Sequence, residues 1–212
     1  MITPMQKIAL RTYRWFSGLA HDCRGVVAVE FAMIVPVMLL MFFGTIEFSS
    51  GVAVDRKMTL VARLLSDLTS QSTSVSNTDI ANFMITAKAE LFPYDTTPLN
   101  ATITELWIDP ATSNAYVQWS QPSGPGQRVV GSVVAIPSTL IAKDGAGNPV
   151  AGQYLIFSEA SYLYVPAVGY VMAKAGINLK DNAYTRPRQT SCVIYPTPTS
   201  GVWPACPDKP YP

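Results

Sequence analysis

The sequence predicts an α+β protein, in which a long N-terminal transmembrane helix runs into an amphipathic helix that packs on a small antiparallel β-sheet. Three observations support this fold class. Residues 26–46 are apolar except for one charge, Glu30. Apolar residues then recur at helical spacing as far as residue 68. From residue 101 onward, segments rich in β-branched and aromatic residues alternate with turn-forming residues, which is typical of strands.

The apolar run is long enough to cross a lipid bilayer. At ~1.5 Å of rise per residue, a helix over residues 26–46 just spans the ~30 Å hydrocarbon core. Pro36 is the one strong helix breaker in this run. Glu30 is the unusual residue, because a carboxylate inside a transmembrane segment is unfavourable and tends to mark a functional position.

Gly25 stands directly before the apolar run, where a small and flexible residue gives a protease access to the backbone. A cut after Gly25 would give Val26 a new α-ammonium and make Glu30 the fifth residue. A carboxylate in an apolar environment needs a cation, and the amino terminus of a neighbouring subunit would supply one. The alternative is an uncleaved anchor in which Glu30 reaches the interface or pairs with Arg24. A secretory signal peptide fits less well, since its apolar core has only ~7–15 residues.

Residues 25–31 read Gly-Val-Val-Ala-Val-Glu-Phe, and Ala32, Pro36 and a Leu-rich tail follow. This pattern resembles the TadE/TadG-like pseudopilins of the tight-adherence (Tad, type IVc) pilus system, and the resemblance covers roughly residues 24–70. It implies a minor pseudopilin that prepilin peptidase cuts between Gly25 and Val26 and that helps to initiate or assemble a pilus for surface adhesion. It also implies that Glu30 and Phe31 serve subunit assembly.

The resemblance implies a set of partners and no cofactor. The partners are prepilin peptidase, other Tad pseudopilins, the major pilin, and the assembly platform of the bacterial inner membrane. With a net charge of +1, the chain has no basic surface for nucleic acid. Basic residues before the span favour a cytoplasmic N-terminus. We therefore expect a single-pass inner-membrane protein with its C-terminal domain in the periplasm, and incorporation into the extracellular pilus is a further expectation.

The cysteines and the histidine restrict the chemistry of a processed chain. Cys23 and His21 belong to the leader, so cleavage leaves Cys192 and Cys206. In an oxidising periplasm these two would close a short disulfide loop, and two free thiols are the alternative. Without a histidine we expect neither a metal site nor a nucleophile–base pair, and so no enzyme. A membrane-anchored periplasmic binding or adhesive module that never enters a filament is the alternative function.

We predict four parts in chain order. Residues 1–25 form a basic leader, either an amphipathic helix on the inner leaflet or disordered chain, and residues 26–70 form the transmembrane and amphipathic long helix. Residues 71–195 form the periplasmic α+β domain, and residues 196–212 form a Pro-rich tail. The amphipathic half of the helix carries an apolar stripe at spacings of 4, 3, 4 and 3: Val54, Met58, Val61, Leu65 and Leu68.

Local signals predict the elements of the domain. A capping pair, Ser76 with Asp79, starts a short helix that ends at Pro93. A hairpin follows, with strands at 101–108 and 116–119, and residues 129–136 form another strand or lead into a short helix near Ser138. The strongest strand covers residues 153–165 with alternating faces. A last strand is predicted around residues 192–195, after Arg186-Pro187-Arg188.

Overall fold

The computed structural model describes residues 25–124, 126–166, 176–196 and Cys206. The chain divides into two compact units, with the boundary between Ile46 and Glu47. The predicted leader, apart from Gly25, and most of the predicted Pro-rich tail lie outside the described residues.

Helix α1 covers Val26–Ser70 and contains Pro36, which confirms the predicted long helix. The part of α1 that belongs to the first unit exposes its apolar side chains. Phe31 is 66% exposed and Leu40 is 63% exposed. An 18-residue window in α1 has a mean hydropathy of 2.5, and none of that window is buried. By length and composition this helix is able to cross a membrane.

In the second unit, the remaining part of α1 forms one wall of the core. Val54, Met58, Val61 and Leu65 are fully buried, as the helical spacing predicted, and Leu68 at the end of the stripe is half-buried. The next helix, α2, covers Asn77–Glu90.

The predicted capping pair starts α2. The Asp79 backbone N–H donates to Ser76 Oγ at 3.2 Å, and the Ser76 backbone N–H donates to the Asp79 carboxylate at 2.9 Å. Ser76 thus satisfies backbone donors that the first turn of a helix leaves free. The apolar face of α2 joins the same core as α1, through Ile80, Met84, Ala87 and the following Leu91.

The sheet has five strands, and every pair of neighbours is antiparallel. The strands are β1 (Leu99–Ile108), β2 (Ala115–Pro122), β3 (Val133–Val134), β4 (Gln153–Tyr164) and β5 (Ile177–Thr185), in the spatial order β3-β2-β1-β4-β5. The predicted β1–β2 hairpin is confirmed. A 3-10 turn at Ser138–Leu140 follows the short strand β3. The stretch predicted as a strand or as a lead into a short helix near Ser138 therefore contains both. The α+β fold class is therefore confirmed.

The two faces of the sheet are covered by different parts of the domain. On one face, Ile103, Ile156 and Tyr162 pack in the core that includes α1 and α2. On the other, Leu155 and Phe157 pack with Val134 and Ile141 from the long connection between β2 and β4. The alternation predicted for β4 is therefore confirmed.

The predicted last strand was wrong. Residues 192–195 contribute only an isolated parallel bridge between Ile194 and Ser74, whereas the strand that pairs with β4 is β5, earlier in the chain. Val193 donates its backbone N–H to a glutamate side chain rather than to a neighbouring strand. This segment is held by side-chain contacts and by one bridge instead of a ladder.

Candidate functional site

The residues at the predicted cleavage point begin the described chain. Gly25 is exposed and immediately precedes the first residue of α1, Val26, which is 51% exposed. A Cβ added at Gly25 would meet nothing within 4 Å. The fold of this chain therefore does not require glycine there, so any requirement for a small residue comes from a molecule that acts on this junction.

Glu30 lies one helical turn beyond Val26, on the same side of α1, because residues four apart are neighbours on a helix. Its side chain is exposed, and among the described residues it forms no ion pair. The adjacent Phe31 is exposed as well. In an apolar surrounding, the Glu30 carboxylate would need a cation from outside the described chain.

The remaining predicted pair lies in the second unit. Cys192 and Cys206 are at disulfide distance, with 2.03 Å between the sulfur atoms and 5.7 Å between the Cα atoms. Cys192 is buried with Trp107 and Tyr154. This pair joins the chain around Cys192, near the sheet, to residue 206 in the predicted tail.

Sequence reasoning missed a buried carboxylate beside this pair. Glu105 lies on β1 at a break in the β1–β2 register, and it is only 2% exposed. Its Oε2 accepts a hydrogen bond from Trp119 Nε1 at 2.9 Å, and its Oε1 accepts one from the Val193 backbone N–H at 2.5 Å. Trp119 Nε1 also donates to the Val193 carbonyl at 2.8 Å. Glu105 therefore connects β1, β2 and the C-terminal segment.

Burial raises the pKa of the Glu105 carboxyl from its ordinary value of 4.5 to about 8, and the hydrogen bonds from Val193 and Trp119 oppose part of that rise. Glu105 has a structural role, because its carboxyl group is enclosed by the residues to which it is hydrogen-bonded. The available sequence signal was a single acidic residue in an otherwise uncharged segment, residues 99–108. Its partners, 14 and 88 residues away, gave no local sign of the contact.

A polar cleft of about 610 Å³ lies on the sheet face opposite α1. Among its lining residues, Arg128 forms an ion pair with Glu159 on β4 at 2.7 Å, and the guanidinium also lies 5.2 Å from the centre of the Phe157 ring. The remaining lining is mainly amide, hydroxyl and charged side chains, including Asn100, Thr102, Ser161, Lys180 and Asn182.

The described residues hold no group of three or more histidine, cysteine, aspartate or glutamate side chains suited to a metal ion. The predicted site residues thus fall into two sets. Gly25, Val26, Glu30 and Phe31 are together at the start of α1, and the two cysteines are together in the second unit. The arrangement can support insertion into an apolar medium and pairing of Glu30 with an external cation.

These features define a class of protein with one N-terminal helix that is able to cross a membrane and that continues into an antiparallel α+β domain. Residues 25–64 of the chain match the family model described as TadE-like protein. The TadE-like resemblance expected from the sequence is thereby confirmed over this region, which contains the candidate cleavage point and Glu30. Neither the curated proteins nor the solved structures include a match to this chain.

Proposed function

We propose that this protein is a minor pseudopilin of a Tad (type IVc) pilus. Prepilin peptidase removes the leader after Gly25, residues 26–46 hold the product in the inner membrane, and the α+β domain lies in the periplasm. There it helps to initiate or assemble the pilus used for surface adhesion, together with other pseudopilins, the major pilin and the assembly platform. Its role is assembly and not catalysis.

One observation carries this proposal. The TadE-like region begins at Gly25, and the same region holds a helix with a fully uncovered apolar surface and an exposed carboxylate, Glu30, on its first turns. After cleavage, the α-ammonium of Val26 on one subunit and Glu30 on another have opposite charges and are both accessible. Their pairing would fix the register between subunits, although desolvation offsets much of the attraction.

Intact mass and N-terminal sequencing after coexpression with a cognate prepilin peptidase test the proposal. The expected product begins at Val26 and has lost a 25-residue leader, a decrease of about 3 kDa at typical residue masses. Gly25→Leu should block the cut while leaving α1 unaffected, because a Cβ at this position meets no neighbour. An intact wild-type chain in the presence of active peptidase would reject processing.

The polar cleft favours one alternative, a membrane-anchored periplasmic binding or adhesive module that does not enter a filament. A recess of about 610 Å³ lined by amide, hydroxyl and charged side chains suits a polar ligand. N-terminal sequencing of native protein separates the two functions, since only the pseudopilin requires a free Val26.

A further inference from the structure

The second unit exposes a group of apolar side chains close to its first residue. We call the apolar patch the six residues Phe48, Gly51, Val52, Leu163, Val165 and Ile177. Phe48 is 63% exposed, Val165 57%, Leu163 45% and Ile177 41%. An open groove of about 210 Å³ lies between α1 and the ends of β4 and β5, and four residues of the patch line it: Phe48, Gly51, Val52 and Ile177.

Local geometry brings these residues together. Tyr164 pairs with Ile177 in the β4–β5 ladder, and its ring lies 3.6 Å from the position that a Cβ on Gly51 would occupy. A Cβ on Gly176 would lie 3.1 Å from Leu163 and 3.2 Å from Val165, so these two side chains cover the same point of the backbone. Phe48, Gly51, Val52 and Ile177 lie on the helix side of the sheet, and Leu163 and Val165 lie on the other side, so apolar side chains flank both faces of the ends of β4 and β5.

The position of Phe48 in the sequence limits its distance from a bilayer that the apolar run would cross. Phe48 follows the last residue of the apolar run, Ile46, by two residues, and two extended residues reach about 7 Å at most. A bilayer is ~40–45 Å thick in total and its hydrocarbon core is ~30 Å thick, so the polar layer on each side is about 5–8 Å thick. If the membrane span ends at Ile46, Phe48 therefore lies within the polar layer or directly beside it. This conclusion depends only on the length of chain between the two residues.

Side chains of this kind are stabilised at that depth. Aromatic and large aliphatic groups favour the boundary between headgroups and acyl chains, where the water-exposed apolar area is reduced. Among the residues that line the groove, one carries a charge, Asp55, and it is exposed. The cleft that contains Arg128, by contrast, is lined mainly by polar side chains.

We propose that the apolar patch docks on the lipid bilayer, inserting Phe48, Val165 and Ile177 at the headgroup–acyl boundary. The domain is then attached to the membrane twice, through the span and through the ends of β4 and β5. This attachment fixes the orientation of the domain on the membrane and does not depend on pilus assembly.

Depth-dependent fluorescence quenching tests the proposal on the full-length chain. The chain carries Cys23→Ser, keeps Cys192 and Cys206 oxidised, and bears one fluorophore at Ile177→Cys or, separately, at Val165→Cys. Vesicles of phosphatidylcholine and phosphatidylglycerol contain acyl chains with a nitroxide near the carbonyl. Each patch label should lose severalfold more fluorescence to the nitroxide lipid than a control label at Val133→Cys.

The matched control is Val133→Cys on β3, an equally apolar and exposed residue, 56% exposed, at the other edge of the sheet. Equal quenching at all three positions would overturn the proposal. So would patch labels that are shielded from aqueous iodide but are not quenched by the nitroxide lipid. That second result would show protein on the patch, either the connection 167–175 or another copy of the chain.

Discussion

The two parts of α1 have opposite relations to the rest of the chain. In residues 26–46, the apolar side chains point outward and none of the most hydrophobic window is buried. From Glu47 to Ser70, one apolar stripe is fully buried and the remaining side chains are a mixture of polar and apolar groups. Both parts are helical, yet they obtain their stability from different sources. The first requires lipid or another protein, and the second requires the sheet of its own domain.

This difference separates the positions where a substitution affects folding from those where it affects association. Contacts of the second part are specific and internal. Ser158 donates to the Ala62 carbonyl at 2.5 Å, and Ser66 is hydrogen-bonded to Thr185 at 3.0 Å. Residues of the first part have no comparable packing in the described chain, so their replacement should leave the folding of the domain unchanged.

Leu65→Ala should have the largest effect, because Leu65 is fully buried in the core between α1 and the sheet. Removing these methyl groups leaves a cavity, and the free energy of unfolding should fall by about 4 kcal/mol. Urea unfolding in detergent micelles, followed by tryptophan fluorescence, gives the value. The control is Leu39→Ala in the first part, where Leu39 is 49% exposed. Equal destabilisation by both variants would remove the distinction between the two parts.

Removing the Cys192–Cys206 disulfide tests how much the C-terminal segment contributes to the stability of the domain, for comparison with the contribution of α1. For a sequence separation of 14, replacing both cysteines with serine should lower the free energy of unfolding by on the order of 3 kcal/mol. The protection of backbone amides against hydrogen exchange should fall more at residues 192–195 than in β1 and β4. Free thiols at both positions in non-reduced native protein would contradict the pairing.

Glu105 predicts a pH dependence that belongs to the domain alone. Its pKa is about 8 in the folded chain and 4.5 as an ordinary carboxyl, so between these values the folded chain holds a proton that the unfolded chain has released. The contribution of Glu105 to stability is then fully present below about pH 4.5 and is lost as pH rises toward about 8, by roughly 2 kcal/mol between about pH 5.5 and about pH 7.5.

Two matched variants check this pH dependence by urea unfolding at several pH values. Glu105→Gln should flatten the slope, although it also weakens one of the two hydrogen bonds and lowers stability at acid pH. Glu30→Gln removes a carboxylate from the exposed part of α1 and should retain the wild-type slope. A slope that Glu105→Gln leaves unchanged would assign the effect to other groups.

Glu30→Gln should have the smallest effect of these variants, and the quantity that it changes is the free energy of association between subunits. Membrane insertion should remain intact or improve, because the amide is easier to bury than a carboxylate. Association with other pilin subunits should weaken roughly tenfold, or about 1.4 kcal/mol, through loss of the pair with a neighbouring Val26 ammonium. Crosslinking and co-purification from native membranes measure it. Asp55→Asn, which removes a charge from the other part of α1, is the control, and normal assembly of Glu30→Gln would refute the register role.

Local signals were sufficient to predict most of the helical structure. The apolar run, the stripe from Val54 to Leu65 and the Ser76–Asp79 cap each depend on neighbours within about four residues, and all three are present. The β1–β2 hairpin was predictable for the same reason, since its turn residues lie between two β-rich segments.

The parts that the sequence did not reveal depend on contacts between distant residues. Strand β5 reads Ile-Asn-Leu-Lys-Asp-Asn-Ala-Tyr-Thr, and its polar centre resembles a turn, so only its pairing with β4 defines it as an edge strand. The Glu105 site requires Trp119 and Val193 from other parts of the chain. Residues 192–195 have strand-like composition, but the bond from Val193 to Glu105 takes the place of strand pairing.

The continuity of α1 has a mechanical consequence. The second unit begins within α1 and not with a flexible linker, so tension applied at Glu47 reaches the helix–sheet contacts without first straightening slack chain. Within the domain, these contacts succeed one another along α1, from Tyr164 at Glu47 to Ser158 at Ala62 and Thr185 at Ser66. A pull along the helix axis therefore shears them together instead of opening them one by one, and sheared contacts resist in parallel.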